Sequence, residues 1–386
     1  MIFENEDGQF VMNIKHTLLI DARAATRANL GINRYVRSLL PAMIPELTED
    51  EVLHVILSPE AEPMACLSHQ RVTTHLTSAA FGTFKSHYEA FKIARSVKPD
   101  IYHAPYILTP VTVPGKMVLT IHDVIPLSHP HYSSYWMRIL WRYIIGYRVI
   151  RHSRKIIGVS NSALKGCEEQ FHARIMNRST VIYHGVGINF TPQSEERVDQ
   201  IRTRFGLPER FFLYVGSDKT HKNVSTVLQA MALMDPTSSI PLALAGFDSE
   251  KSDLKHEVED LNLGDRVIWL GKVSEADLPS LYTSAHALVF PSLAESFGFP
   301  VLESMACGTP VICSSLAVLK EITGGNAKIV SAREQREWKN AMDLASVSLE
   351  WHDAFREKGL AWVSRFSWAT TALSTLNVYR SLYRKK

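Results

Sequence analysis

Short apolar, β-rich runs alternate with segments of helical spacing almost from end to end of the chain, the pattern of parallel α/β domains. In the first half the runs predicted as strands cover residues 17–20, 52–57, 100–103, 117–121, 155–159 and 180–183. A second series covers 211–215, 241–245, 267–270, 287–290, 310–313 and 328–330. Between the two series, residues 188–210 are polar and charged and contain Pro192 and Pro208, which makes this the best domain boundary. The expected architecture is two doubly wound parallel-sheet domains, over 1–190 and 191–365. Their carboxyl strand ends would face a cleft suited to a two-part substrate.

One stretch stands out, Glu295-Ser-Phe-Gly-Phe-Pro-Val-Leu-Glu303. The apolar run Ala287-Leu-Val-Phe290 stops just before it at Pro291 and predicts a buried strand. After it, Val301-Leu-Glu-Ser-Met-Ala306 has helical spacing, starts near Pro300 and stops at Gly308-Thr-Pro310. Glu295 therefore belongs to a loop at a strand's carboxyl end. Ser296, Phe297 and Gly298 fall at a helix N-terminus, whose free amides and positive dipole end favour phosphate. Glu303 falls about one turn further on, where a carboxylate can accept two hydrogen bonds from a ribose diol. Two solvated glutamates are the bland alternative; the strand–loop–helix context argues against it.

Composition narrows the function classes. The 386 residues carry 42 Lys and Arg against 39 Asp and Glu, a net charge of +3, with no concentrated basic stripe. That balance argues against nucleic-acid binding. Cys66, Cys167, Cys307 and Cys313 form no C-x-x-C pair and no metal-ligand spacing, as expected of reduced cysteines. The acidic N-terminus lacks signal-peptide character, and no apolar run is long enough to span a bilayer. The expected location is the cytoplasm, with peripheral contact on the inner membrane face left open. Residues 135–154 raise that question, because Trp136, Trp141, Tyr143 and Tyr147 are interspersed with five arginines. Those arginines project at several angles, so a half-buried helix is the preferred reading.

Other strand ends carry further candidates. Phe-Phe-Leu-Tyr-Val-Gly216 runs into Ser217-Asp-Lys-Thr-His-Lys222-Asn223 and then a helical segment, which places a lysine for phosphate binding. Val-Leu-Thr-Ile121-His122 ends another strand on a histidine. Asn29-Leu-Gly31-Ile-Asn-Arg34-Tyr35 predicts a strand-to-helix turn that does not match G-x-G-x-x-G, which weakens a dehydrogenase reading.

Together these residues resemble the family-4 retaining glycosyltransferases, whose fold is the two-Rossmann-domain GT-B architecture. The matching segments include Gly31 to Tyr35, Thr120-Ile-His-Asp-Val-Ile-Pro126, Gly158 to Asn161, Val181 to Val186, Gly216 to Asn223, Leu270-Gly271, Phe290-Pro-Ser292 and Glu295 to Pro310. They cover most of the chain, and the last is highly specific. The resemblance implies that Glu295 contacts the donor sugar and Glu303 the nucleotide ribose. Lys222 and the amides around Ser296, Phe297 and Gly298 would hold the diphosphate, within a donor site that also includes Gly216, Ser217, Val301 and Leu302. Val273 would lie against the base. In the first domain, Gly31 would let the backbone approach the phosphates and His122 would approach the transferred sugar. The closing helix, 366–386, would pack back on that domain.

Two departures from the family pattern bear on this. Ser217 stands where many relatives carry a second phosphate-binding arginine, leaving Lys222 as principal cation; His184 stands where Asn is frequent. No D-x-D-type metal cluster stands out, so the implied chemistry needs no cofactor or metal. Glu295 is read as a positioning and electrostatic residue rather than a nucleophile. The motif flavour resembles bacterial mannosyltransferases of polysaccharide and O-antigen assembly, pointing to GDP-mannose as donor. The acceptor would be a glycan or a polyprenyl-diphosphate-linked oligosaccharide. A UDP-sugar transferase, a catalytically weak sugar-nucleotide-binding scaffold and a GT-B-fold epimerase remain as alternatives.

Overall fold

The computed structural model describes residues 2–4, 10–12, 16–26, 30–122, 146–236 and 240–383. The chain divides into two compact units, residues 1–185 with 367–386, and residues 186–366.

In the first unit a short antiparallel pair, β1 (Ile2–Glu4) and β2 (Phe10–Met12), precedes the main sheet. That sheet is built from β3 (His16–Asp21), β4 (Glu51–Leu57), β5 (Val72–Leu76), β6 (Ile101–Ala104), β7 (Lys116–Ile121), β8 (Lys155–Gly158) and β9 (Ser179–Val181). All are parallel, in the order β5-β4-β3-β6-β7-β8-β9, so the winding direction reverses between β3 and β6. Among the described residues, the helices that alternate with these strands are α1 (Leu30–Met43), α2 (Phe84–Val97), α3 (Tyr147–His152) and α4 (Asn161–Phe171). Alternate residues of one strand feed opposite faces. Leu18 and Ile20 pack with α1, while Leu19 packs with Ala90 and Ala94 of α2 and Leu164 of α4.

In the second unit α5 (Glu195–Phe205) leads into β10 (Phe212–Val215), α6 (Val224–Ala232), β11 (Leu242–Ala245), α7 (Leu254–Asp260), β12 (Val267–Gly271) and α8 (Leu278–Ser284). Then follow β13 (Ala287–Phe290), α9 (Phe299–Ala306), β14 (Val311–Ser314), α10 (Ala317–Thr323), β15 (Lys328–Val330), α11 (Gln335–Val347) and α12 (Leu349–Val363). The parallel order β12-β11-β10-β13-β14-β15 reverses between β10 and β13. Phe212, Tyr214, Leu242 and Leu244 pack on α6 and on Trp338 of α11, and Leu213 and Leu288 are also fully buried.

The last helix, α13 (Trp368–Arg380), belongs to the first unit, where Ala372, Leu376 and Tyr379 share a core with Tyr35 and Leu39 of α1. A polar clamp fixes its end. Arg380 donates through Nε to Glu51 Oε1 at 3.0 Å and through Nη2 to Oε2 at 2.8 Å, and Tyr383 donates to Oε1 at 2.6 Å. The Tyr383 ring stacks on His16 at 3.7 Å.

Each of the twelve strands expected from apolar runs is present, with ends shifted by a residue or two. The structure adds β5 at the sheet edge and the β1–β2 pair. Val72-Thr-Thr-His-Leu76 is largely polar because an edge strand is covered on few sides, so it offers no apolar run to detect. The segment 135–154 lies partly outside the described residues. Within it, α3 buries Val149 and Ile150 completely while Arg148 and Arg151 are exposed.

Candidate active site

In the second unit the loops after β10 and β13 lie side by side where the strand order reverses, the place at which open α/β sheets bind ligands. The first begins at Gly216, where a Cβ would come within 2.5 Å of Tyr214 Oη. That hydroxyl donates to the Ser217 carbonyl at 2.7 Å. Gly246, at φ +118°, crosses beneath, and a Cβ there would meet the Gly216 carbonyl at 2.0 Å. Two glycines thus let neighbouring strand ends pass in contact.

Lys222 closes a 3-10 turn, Thr220–Lys222, just ahead of α6, and Asn223 follows in the left-handed region at φ 59°. The Asn223 amide donates to the carbonyls of Pro291 at 3.1 Å and Ala332 at 2.7 Å, and its oxygen accepts from Thr226 at 2.9 Å. The Leu293 N–H donates to the His221 carbonyl at 2.7 Å. These bonds staple the Lys222 turn to the loop that carries Glu295.

Lys222 Nζ donates to Glu295 Oε1 at 2.6 Å, and Ser292 Oγ donates to the same oxygen at 2.7 Å. Both side chains are mostly buried, 19% and 12% exposed, and Nζ lies 5.6 Å from the Phe290 ring centre. Sequence reading assigned Lys222 and Glu295 separately, to diphosphate and sugar; the structure pairs them. A charge pair withdrawn from water is held only with good geometry and additional hydrogen bonds, and Ser292 supplies one.

Helix α9 begins at Phe299. Its N-cap is Gly298 at φ 112°, and no side chain caps it. A Cβ at Gly298 would meet Leu319 Cδ2 at 2.8 Å, so glycine satisfies both backbone and packing there. Ser296 is half-buried and Phe297 buried just before the helix. Val301 and Leu302 are fully buried, so their side chains belong to the core rather than to a ligand surface. Glu303, 2% exposed, accepts at Oε2 from Tyr282 Oη of α8 at 2.9 Å. Tyr282 is fixed in turn by Thr309, whose hydroxyl donates to its carbonyl at 2.5 Å. Val273 is half-buried two residues past β12. Burial, with Glu303 nearby, pushes the Cys307 thiol up to about 12, so it is inert as a nucleophile.

The first unit presents a second cluster. His122, just past β7, has Nε2 buried with no hydrogen-bond partner among the described residues. Tyr35 meets its ring edge-on at 4.6 Å, and His184 stacks on it at 5.3 Å. Trp368, first residue of α13, lies 5.7 Å beyond His184. Gly185 admits that tryptophan, because a Cβ there would lie 2.2 Å from its backbone nitrogen. Burial lowers the His122 pKa to about 4, with a smaller opposing effect from the Pro105 backbone, and His184 falls well below the usual range. His122 is therefore a neutral imidazole at ordinary pH. His184, for which the sequence offered no physical reading, is its stacking support.

Gly31 is the second residue of α1 rather than part of a turn, and a Cβ there would meet nothing within 4 Å among the described residues. Among the described residues, neither φ nor packing demands glycine there. At the reversal between β3 and β6 stands a fully built ion pair that sequence reading missed. Arg23, 0% exposed, holds Asp21 through Nε and Nη2 at 2.7 Å each, with Tyr102 donating to Asp21 at 2.8 Å and Arg23 Nη1 donating to Ser86 at 2.8 Å. Tyr282, Ser292, Tyr35 and Trp368 were also missed as site supports; of these, Tyr35 and Ser292 stood inside recognisable motifs.

Comparison with known proteins defines the class. Residues 197–359 match the family described as glycosyl transferases group 1. The chain is 28% identical over 295 residues to O-antigen chain mannosyltransferase B of Escherichia coli, covering 75% of this chain and 76% of that protein. It is 29% identical over 227 residues to O-antigen chain mannosyltransferase RfbU of Salmonella typhimurium, covering 59% of this chain and 60% of that one. Its fold matches HepE of Anabaena, solved with UDP and glucose, at a TM-score of 0.72 and 20% identity, over 95% of this chain and 100% of that one. The chain is similar to the group 1 glycosyltransferases over residues 197–359, and it has the GT-B fold. Its curated relatives include mannosyltransferases of O-antigen assembly.

Proposed function

We propose that this protein transfers mannose from GDP-mannose, with retention of configuration, to a glycan or polyprenyl-diphosphate-linked oligosaccharide in cell-surface polysaccharide synthesis. The reaction would take place at the cytoplasmic face of a membrane. The observation that carries this reading is the Lys222–Glu295 pair at the strand-order reversal, one loop away from the buried Glu303–Tyr282 pair. The names of the O-antigen mannosyltransferase relatives support the choice of sugar.

Breaking the bond from the anomeric carbon to phosphate leaves negative charge on the nucleoside diphosphate and positive character on the sugar. Lys222 and the uncapped start of α9 would meet the first charge without a metal or cofactor. Glu295, tethered at Oε1, would offer Oε2 to sugar hydroxyls as a positioning residue. Glu303 would hold the ribose, and Val273 would lie against the base. From the first unit, neutral His122 would present Nε2 to the transferred sugar, with Gly31 near the phosphates. The acceptor attacks on the departing phosphate's face, and that phosphate helps to take its proton.

A UDP-sugar donor is the second reading, favoured by the likeness to HepE, whose structure holds UDP and glucose. Protection against thermal unfolding by GDP, UDP and ADP separates the two, because a ligand that binds only the folded state raises stability. Labelled donors with a lipid-linked acceptor then test transfer. Mannose transfer from GDP-mannose is expected; nucleotide binding with no transfer from any donor would leave a scaffold as the answer.

A further inference from the structure

Helix α2 is arranged unlike an ordinary surface helix. Its inner face is small, with Ser86, Ala90 and Ala94 all 0% exposed, the two alanines packing with Leu19, Ile56 and Tyr102. Its large residues turn outward: Phe84 is 93% exposed and Tyr88 61%, and half-buried Phe91 continues the stripe at helical spacing. Singly exposed apolar residues are unremarkable, but an aromatic stripe along one helix face is not.

Charge accompanies the aromatics. Lys85, Lys92 and Arg95 are exposed on α2 and Lys98 at its C-cap, with Lys92 Nζ 5.6 Å from the Tyr88 ring and the Arg95 guanidinium 5.9 Å from Phe91. The helix's single carboxylate, Glu89, is drawn aside by the Ser78 N–H at 2.8 Å and hydroxyl at 2.6 Å. Aromatics set among cations match an anionic bilayer surface, where rings enter the headgroup region and lysines meet lipid phosphates. Among the described residues no helix is long and apolar enough to cross a membrane, so the contact would be interfacial. The described part of 135–154 is less suited, because in α3 the apolar Val149 and Ile150 face inward and Arg151 donates to Tyr147 at 2.9 Å.

We propose that Phe84 and Tyr88, framed by Lys85, Lys92 and Arg95, dock the first unit on an anionic lipid surface. Because every strand of this sheet is parallel, α2 begins at the same carboxyl edge at which His122 follows β7. Docking there would bring a lipid-linked acceptor to the edge that carries His122. The inference deepens the membrane part of the proposed function and is independent of the donor assignment.

Sedimentation with vesicles of phosphatidylcholine, with and without phosphatidylglycerol, tests it. The intact protein is expected to bind the anionic vesicles, to ignore the neutral ones and to release at high salt. Phe84→Ser with Tyr88→Ser, or Lys85→Glu with Lys92→Glu, should each lower partitioning by about tenfold or more, each basic residue at such a surface being worth roughly fivefold. Unfolding temperature and transfer to a water-soluble acceptor should stay unchanged, which separates docking from folding and catalysis. No binding by the intact protein, or full binding by both variants, overturns the proposal. Loss confined to Arg148→Glu with Arg151→Glu also overturns it, as does self-association through Phe84 without vesicle binding. If vesicle binding holds while no nucleoside diphosphate protects the fold, only the donor assignment falls.

Discussion

Lys222 and Glu295 hold each other at 2.6 Å across 73 positions of sequence, and Ser292 fixes the same carboxylate oxygen. The cation and the carboxylate are thus preorganised on neighbouring strand ends, and little reorganisation is required when charge develops on a leaving phosphate. Lys222→Ala should lower kcat for transfer by about 10²–10³, the loss typical of removing one preorganised donor to a developing anion. Turnover within a few-fold of the parent, even with a lowered unfolding temperature, would mean that the pair is only structural.

The Glu303 carboxylate and the Tyr282 hydroxyl meet at 2.9 Å inside the second unit. Glu303→Gln should weaken binding of the free nucleoside diphosphate by about 1–3 kcal/mol, the range for a lost charged hydrogen-bond acceptor. Tyr282→Phe removes only the neighbour that orients it, so a smaller loss is expected. Calorimetric titration of both variants with GDP and UDP checks this; unchanged affinity in Glu303→Gln would reject the ribose assignment.

Most of this site could be read from sequence because parallel sheets write their buried strands as continuous apolar runs and end them on recognisable loops. Ala287-Leu-Val-Phe290 followed by Glu295 to Glu303 placed both carboxylates correctly on loop and helix. The partners of those residues were hidden because they come from elsewhere in the chain. Tyr282 lies on a helix with no motif of its own, and Trp368 arrives from α13 after a separation of 184 residues from His184, as 368 minus 184 gives. The Asp21–Arg23 pair was invisible for another reason. Two residues apart, an acid and a base read as ordinary surface charge, and only their complete burial shows otherwise.

Glu51 makes the attachment of α13 dependent on pH. Burial alone would raise its pKa; the Arg380 guanidinium, the Tyr383 hydroxyl and the Thr48 N–H outweigh that and lower it from 4.5 to about 2. The folded form therefore favours the carboxylate. Its contribution is fully present above about pH 4.5 and is lost as pH falls towards 2, amounting to about 3 kcal/mol for a shift of this size. Glu51→Gln should destabilise the protein at pH 7 and flatten the acid limb of stability between those values. Denaturant titrations across that range give the test; an unchanged acid limb would reject the clamp.

The buried imidazoles of the first unit act in a higher window. Burial lowers His122 from 6.5 to about 4 and His103 to about 3, with His184 shifted in the same direction. His103 is further held between Tyr379 Oη at 2.5 Å and Thr120 Oγ1 at 2.8 Å. All three are neutral when folded, whereas in the unfolded chain they gain protons below about pH 6.5. Stability should therefore fall with pH, by about 1.4 kcal/mol per pH unit for each imidazole, down to its folded pKa. His122→Phe removes one of these groups and should reduce the slope between pH 6 and 5 by about one proton's worth. Transfer should show no ionisation of His122 between pH 6 and 8, because the neutral ring already predominates there. A histidine-like limb near pH 6.5 in kcat that disappears in His122→Phe would mean that this ring is protonated in the folded protein. The aromatic enclosure by Tyr35, His184 and Trp368 would then not keep His122 neutral.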